Sequence, residues 1–276
     1  MGTNDKKKGI EEITEELESG IKAMMDSERY AEYLRFMASF YDYSINNCIL
    51  IWLQKPDATL VAGFKAWQEK FKRTVKKGEH GIAIICPIPR TTMIKVKHED
   101  GTEEMQERKY CYFRKGYVFD ISQTEGEDVP EICSKLSGSV DNFPVLLSKL
   151  EGLSPVPVNY EEIDGDANGY FSRAEGRIVI RPGMSEEQTI KTLVHEISHS
   201  ILHCEDGEQA EADRRTREVQ AESIAFTVCS AIGIDTSEYS FGYVAGWSAG
   251  RDLKELTESM DVIRATAKKM IEGLAA

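Results

Sequence analysis

LVHEISHSILH, Leu193 to His203, places three of the chain's five histidines within nine residues. His195, Glu196 and His199 form the pattern H-E-x-x-H, and upstream Ser185 stands three residues before Gln188, the spacing of a capping box that opens a helix. Four residues turn a helix by about 400°, so His195 and His199 project from one face, one turn apart. Two imidazole nitrogens can then grip one metal ion, zinc being the ion such a site suits. Glu196 stands beside the open coordination position. A carboxylate there can take a proton from water and later deliver it to a leaving amine.

Zinc needs at least one more protein ligand. Arg214 to Ile232 is apolar at Val219, Ala221, Ile224, Ala225 and Val228, the pattern of a second long helix. It carries Glu218, 19 residues beyond His199, and Glu222 one turn further along the same face. Either glutamate can be the third ligand, with the other holding a ligand histidine by a hydrogen bond. His203 lies one turn beyond His199, where it can be an outer-sphere contact, a helix C-terminal cation or simply packed, the structural reading being preferred.

Outside this stretch, composition sets the frame. The chain has 276 residues, 41% of them hydrophobic, enough for a core and more in keeping with two compact units than one. No run of about eighteen uncharged apolar residues occurs and the N-terminus is too polar for a signal peptide, so a cytoplasmic protein without membrane contact is expected. The six cysteines include no C-x-x-C pair, which points to reduced thiols rather than a disulfide framework. The net charge of -13 is uneven. Residues 1–125 hold 20 basic against 20 acidic residues, leaving 14 against 27 to residues 126–276. Lys55 to Lys97 alone holds ten basic residues and three acids, a local excess that attracts polyanions.

The expected fold class is α+β in two domains. Glu11 to Phe40 reads as one or two amphipathic helices, Asn46 to Gln54 as a buried helix and Phe64 to Phe71 as a short one. Three strands follow: GIAIICPIP (81–89), TTMIKVKHEDGTEEM (91–105) with a turn at Glu99-Asp100-Gly101, and RKYCYFRKGYVFDIS (108–122). A small antiparallel sheet thus completes domain 1–125. Residues 126–142 read as a linker. Domain 143–276 begins with a helix near Phe143 to Leu150, and the strand Gly176 to Arg181 precedes the histidine helix.

The segment His195 to Phe226 resembles the gluzincin class of metallopeptidases, and more narrowly the zincin-like domains of the ImmA/IrrE kind and of ArdC-type antirestriction proteins. REVQAESIAF (217–226) is similar to the acidic helix of that class, which implies Glu218 as metal ligand and Glu222 as the acid that holds a ligand histidine by a hydrogen bond. YSINNCILIWLQKPDATLVAGFKAWQEKFKRTVKKGEHGIAIICPIP (43–89) and VFDISQTEG (118–126) resemble the N-terminal domain of ArdC-like proteins. The resemblance implies single-stranded-DNA binding by the first domain, a zinc metalloendopeptidase-like second domain acting on an unidentified peptide or protein, and an antirestriction or DNA-protection role carried on mobile elements. Asn46, Gln54, Trp67, Lys76, Lys77 and Gly78 fall on its motif positions. Trp67 with Lys72, Arg73, Lys76 and Lys77 is the candidate DNA site, and Tyr110, Tyr112 and Phe113 interleave with Arg114 and Lys115 in the strand region. Tyr239 or Tyr243 is the candidate donor to a tetrahedral oxyanion. The alternative is a regulatory metallopeptidase that cleaves a repressor or another protein partner, with the first domain as a docking module.

Overall fold

The computed structural model describes residues 3–25, 27–97, 103–129, 143–237, 239 and 241–276. In chain order the elements are α1 (Thr3–Met24), α2 (Ser27–Phe40), α3 (Ile45–Gln54), β1 (Val61–Gly63), α4 (Phe64–Glu69), β2 (Arg73–Val75), β3 (Ile82–Lys97), β4 (Glu103–Asp120), a 3-10 turn (Ile121–Gln123) and β5 (Thr124–Gly126). After these come α5 (Phe143–Leu153), β6 (Val158–Tyr160), β7 (Gly169–Ser172), β8 (Arg177–Ile180), α6 (Glu186–Leu202), α7 (Arg214–Ala231), α8 (Val244–Ser248) and α9 (Leu253–Ala275). The fold is mixed α and β, with small antiparallel pairings in the first part of the chain. Two compact units form: Met1–Ser19 with Leu50–Glu127, and Gly20–Ile49 with Asp128–Ala276. Residues 20–49, assigned by sequence to the first domain, therefore cluster with the second unit. Among the described residues no helix is long and apolar enough to cross a membrane.

In the first unit the three strands expected from residue 81 to residue 122 are two. β3 and β4 run as one antiparallel ladder from Ile82↔Val118 to Lys97↔Glu103, and β1 pairs with the other side of β4. β3 carries Pro87 and Pro89 and is an edge strand. Two residues apart, they share one orientation, and at an edge both can turn the side lacking N–H outward. The turn at Glu99-Asp100-Gly101 and residues 130–142 of the linker lie outside the described residues.

Long-range polar contacts hold this unit together. The Gln54 amide donates to Ala83 O (2.9 Å) while Ala83 N–H donates back to Gln54 Oε1 (2.8 Å), so a side chain substitutes for a strand neighbour. The buried carboxylate of Asp120 accepts from Thr59 N (2.8 Å), Leu60 N (3.2 Å) and Ser122 N (2.9 Å). Trp67 is 0% exposed and donates Nε1–H to Phe119 O at 2.8 Å. Trp67→Ala should destabilise the full chain by about 3–5 kcal/mol through the cavity left. Chemical denaturation checks this, and a loss under about 1 kcal/mol would contradict so tight a packing.

The second unit is built around α7, whose apolar residues Val219, Ile224, Phe226 and Val228 are all fully buried. α6, α9 and α2 pack on it. Tyr30 of α2 shares a hydrogen bond with Ser223 at 2.9 Å, and Arg35 lies over the Phe226 ring at 5.1 Å. The sheet order is β6-β8-β7, so β7 is an edge, antiparallel to β8. Gly169 lets β7 approach α6: a Cβ there would stand 2.7 Å from Thr192 Cγ2. Half of the expected capping box forms at α6. Ser185 Oγ accepts from Gln188 N (3.2 Å), but the Gln188 amide turns along the helix to Thr192 Oγ1 (3.1 Å). The long amphipathic helix α9 went unassigned in the sequence reading.

Candidate functional site

α6 presents His195 and His199 side by side, their ring centroids 4.7 Å apart, and their Nε2 atoms converge to 3.1 Å. From α7, Glu218 Oε2 reaches both Nε2 atoms at 3.7 Å. The donor atoms of these three residues all lie within 4.8 Å of one another. With zinc–ligand bonds of about 2.0–2.2 Å, tetrahedral donors stand about 3.3 Å apart. The 3.1 and 3.7 Å separations bracket that value, so two imidazoles and a carboxylate fit a divalent ion.

Glu222 sits elsewhere. Its Oε2 lies 3.2 Å from Nδ1 of His195, the nitrogen remote from the convergence point. α7 therefore delivers two carboxylates to two different atoms. Burial presses the pKa of His195 down, but the hydrogen bonds from Glu218 and Glu222 outweigh it and bring it up to about 10. The same bonds hold the carboxyl of Glu218 well below the ordinary range. Glu196 is 7% exposed and burial raises its pKa, although the charges of His195 and His199 oppose the rise.

Two cavities meet at His195, Glu196 and Gly169. One, of about 340 Å³, continues past Lys191, Glu222 and Tyr239. The other, of about 640 Å³, runs along Tyr170 and Phe171 of β7 towards Arg173, Arg217 and Glu218. Tyr239 thus lines the cleft beside Glu196, with Lys191 Nζ 5.7 Å from its ring centroid. Tyr243 is not among the lining residues, yet it is close enough for the charge of Glu222 to add to the rise that burial causes. The sequence reading passed over Lys191 and Arg217, which carry no motif.

His203 does not reach the convergence point. It is 2% exposed, Nδ1 lies 2.9 Å from Nδ1 of His199, and Nε2 lies 2.9 Å from Gln220 Oε1. Burial holds it neutral, with the pKa down to about 4.

The candidate DNA residues of the first unit separate into two groups. Trp67 is core, so its faces are closed to a base. Arg73 is a clamp: its guanidinium donates to Thr124 Oγ1 (2.7 Å), Thr124 O (3.0 Å) and Gly126 O (3.4 Å), and also to Glu127 O. Lys76 Nζ donates to Ser122 O (2.8 Å). Trp67 and Arg73 thus serve the fold. Lys72, Lys76 and Lys77 are exposed.

Exposed aromatic surface lies on the β3–β4 hairpin instead. Tyr110, Tyr112, Phe113 and Tyr117 are between 42% and 57% exposed. Alternation puts Tyr110, Tyr112 and Arg114 on one face and Phe113, Lys115 and Tyr117 on the other. Arg90 lies 5.9 Å from the Tyr112 centroid, and Lys115 Nζ 5.9 Å from that of Tyr117. Tyr117 went unnamed in the sequence reading.

The N-terminal domain of anti-restriction factor ArdC matches residues 4–119 as a family, and the IrrE N-terminal-like peptidase family M78 matches residues 155–239. The chain thus carries an ArdC-type N-terminal domain match followed by an IrrE-like peptidase-type domain match. Two crystal structures of the antirestriction ArdC protein from plasmid R388 share the ArdC-like fold. The metal-free one has a TM-score of 0.50 at 17% identity, and the Mn(II)-bound one 0.52 at 16%, each match covering 84% of this chain and 85% of that one. An uncharacterized protein of Bacillus anthracis, pXO2-81, is 27% identical over 320 residues. That match takes in 99% of this chain and 54% of the relative, so the chain spans about half the length of the curated relative it matches.

Proposed function

We propose that this ArdC-like chain is an antirestriction or DNA-protection protein of mobile elements, with a zinc-dependent peptidase centre in its second unit and single-stranded-DNA binding in its first. The observation that carries the reading is the convergence of His195, His199 and Glu218 donor atoms next to a buried carboxylate, Glu196, at the junction of two cavities. Zinc held there supplies a Lewis acid that polarises a carbonyl and acidifies water.

The chain's own residues supply the rest. Glu196, as a carboxylate made more basic by burial, is suited to accept a proton from the attacking water and return it to the leaving amine. Tyr239 lines the same cleft and is the proposed donor to the developing oxyanion. An extended peptide can lie along the edge of β7, at Gly169 and Tyr170 beside Glu196.

For the first unit, support comes from the hairpin. Single-strand binding needs aromatic faces interleaved with cations, and Tyr112, Phe113 and Tyr117 stand exposed among Arg90, Arg114 and Lys115. Lys72 and Lys77 are the proposed phosphate contacts nearby in sequence. A Debye length of about 8 Å at physiological salt lets such a local positive patch act within a net acidic chain.

The test uses the full chain, since residues 20–49 cluster with the second unit. Purified protein should contain about one zinc per chain and, in the absence of chelator, cleave components of a denatured-protein digest. Labelled single strands should bind more tightly than duplex, with affinity falling as salt rises. Tyr112→Ala and Tyr117→Ala should each cost about 1–3 kcal/mol of single-strand binding. Unchanged binding in the Tyr112/Tyr117 double variant would remove the hairpin from the DNA interface and favour the regulatory peptidase reading, in which this surface docks a protein.

A further inference from the structure

Each histidine of the centre has a remote nitrogen, and the two are held differently. Nδ1 of His195 meets the carboxylate of Glu222 at 3.2 Å. Nδ1 of His199 meets another imidazole, Nδ1 of His203, at 2.9 Å. We propose that His203, held by Gln220, is a positioning residue that sets the tautomer and ring orientation of His199 for metal binding; the proposal rests on the reading of His199 as a ligand.

The argument is a proton count along a buried chain. Two ring nitrogens in hydrogen-bonding contact share one proton, so one donates and the other accepts. A neutral His199 that offers its Nε2 lone pair to an ion carries its proton on Nδ1, and His203 Nδ1 must then accept. The proton of neutral His203 consequently sits on Nε2, 2.9 Å from Gln220 Oε1, which accepts it. With the oxygen of Gln220 so used, its amide N–H groups face Ser259 Oγ (3.1 Å) and Gln209 Oε1 (3.3 Å), both able to accept. Each donor from His199 to Gln220 meets an acceptor.

The reverse polarity would put a proton on His199 Nε2, where the ion binds, and would require Gln220 to turn its amide towards His203. Gln220 is 0% exposed and Ser259 7%, so bulk water is poorly placed to replace a missing partner. The chain of bonds links α6 to α7 and α9. Because both ring nitrogens of His203 are engaged, it orients a ligand without becoming one. Hydrogen bonds of this kind fix ligand tautomers and typically contribute 10–100-fold in metal affinity.

The experiment is zinc affinity by chelator competition on the metal-stripped full chain, for the parent and for His199→Ala, His203→Ala, His203→Asn and Gln220→Leu. His203→Ala and Gln220→Leu should each bind zinc about 10–100-fold more weakly. In both, the thermal midpoint of the metal-free protein should shift far less than the loss in affinity implies, and the visible bands of the cobalt-substituted protein should change. His203→Asn should recover most of the affinity, because its amide oxygen can accept where Nδ1 did. Should His203→Ala fail to fold, His203→Asn and Gln220→Leu decide. Parent-like affinity and cobalt bands in both His203→Ala and Gln220→Leu, or in Gln220→Leu and His203→Asn with no difference between them, would overturn the proposal while leaving the metal centre intact. A parent that takes up no zinc, or a His199→Ala variant that binds it equally well, would instead overturn the metal-centre reading and this one with it.

Discussion

Glu196→Gln is expected to abolish peptide cleavage while leaving zinc content and fold unchanged. Glutamine has the shape of the glutamate it replaces, and its amide oxygen can still accept from the backbone N–H of Phe171, which bonds Glu196 now. What it cannot do is take a proton from water. General-base catalysis typically contributes 10²–10⁴-fold, so cleavage should fall by about that factor or more. Product analysis by mass spectrometry, run beside metal analysis of the same preparation, checks both halves of the expectation. Cleavage at the parent rate by a zinc-loaded Glu196→Gln variant would remove Glu196 from the chemistry. Single-strand affinity should be the same in this variant, because Glu196 belongs to the second unit and the hairpin to the first.

Glu218→Ala should lose the metal outright, and Glu222→Ala should weaken it by about 10–100-fold. The difference follows from where the two carboxylates end. Glu218 Oε2 stands 3.7 Å from both converging nitrogens, whereas Glu222 Oε2 stands 3.2 Å from Nδ1 on the far side of the His195 ring. Removing Glu218 leaves two protein donors, too few for a retained zinc site. Removing Glu222 leaves all three and only frees His195 to rotate or change tautomer. Dialysis against a weak chelator followed by metal analysis separates the outcomes. Retention of zinc in Glu218→Ala with loss in Glu222→Ala would exchange the two roles.

Much of the second unit was legible because its signals are local. The H-E-x-x-H spacing, the Ser185 cap and the apolar period of Arg214 to Ala231 are each contained within one helix, where 3.6-residue geometry fixes which side chains share a face. The family pattern in the first unit was equally legible, but several of its polar and aromatic positions answer to the fold. Trp67 reaches Phe119 O, 52 residues away, and Arg73 reaches Thr124, 51 residues away. A charge or an aromatic ring in sequence does not reveal a backbone carbonyl waiting that far along the chain. The three strands expected over residues 81–122 are two because pairing partners, not local pattern, set strand length: β3 continues past Pro89 along β4, and its edge position in the sheet accommodates both prolines.

Local spacing alone places two histidines and a glutamate on one helix and two acids on one face of a second, with a basic, aromatic-rich segment before them. Tertiary structure decided which acid meets which nitrogen. Glu218 and Glu222 are one turn apart, so spacing cannot rank them; the way α7 packs against α6 aims one at the Nε2 pair and the other at Nδ1. The partners of His203 were decided in the same way. Its spacing from His199 repeats that of a ligand pair, yet its ring turns towards Gln220 on α7, because a buried imidazole needs partners for both nitrogens and packing supplied them there.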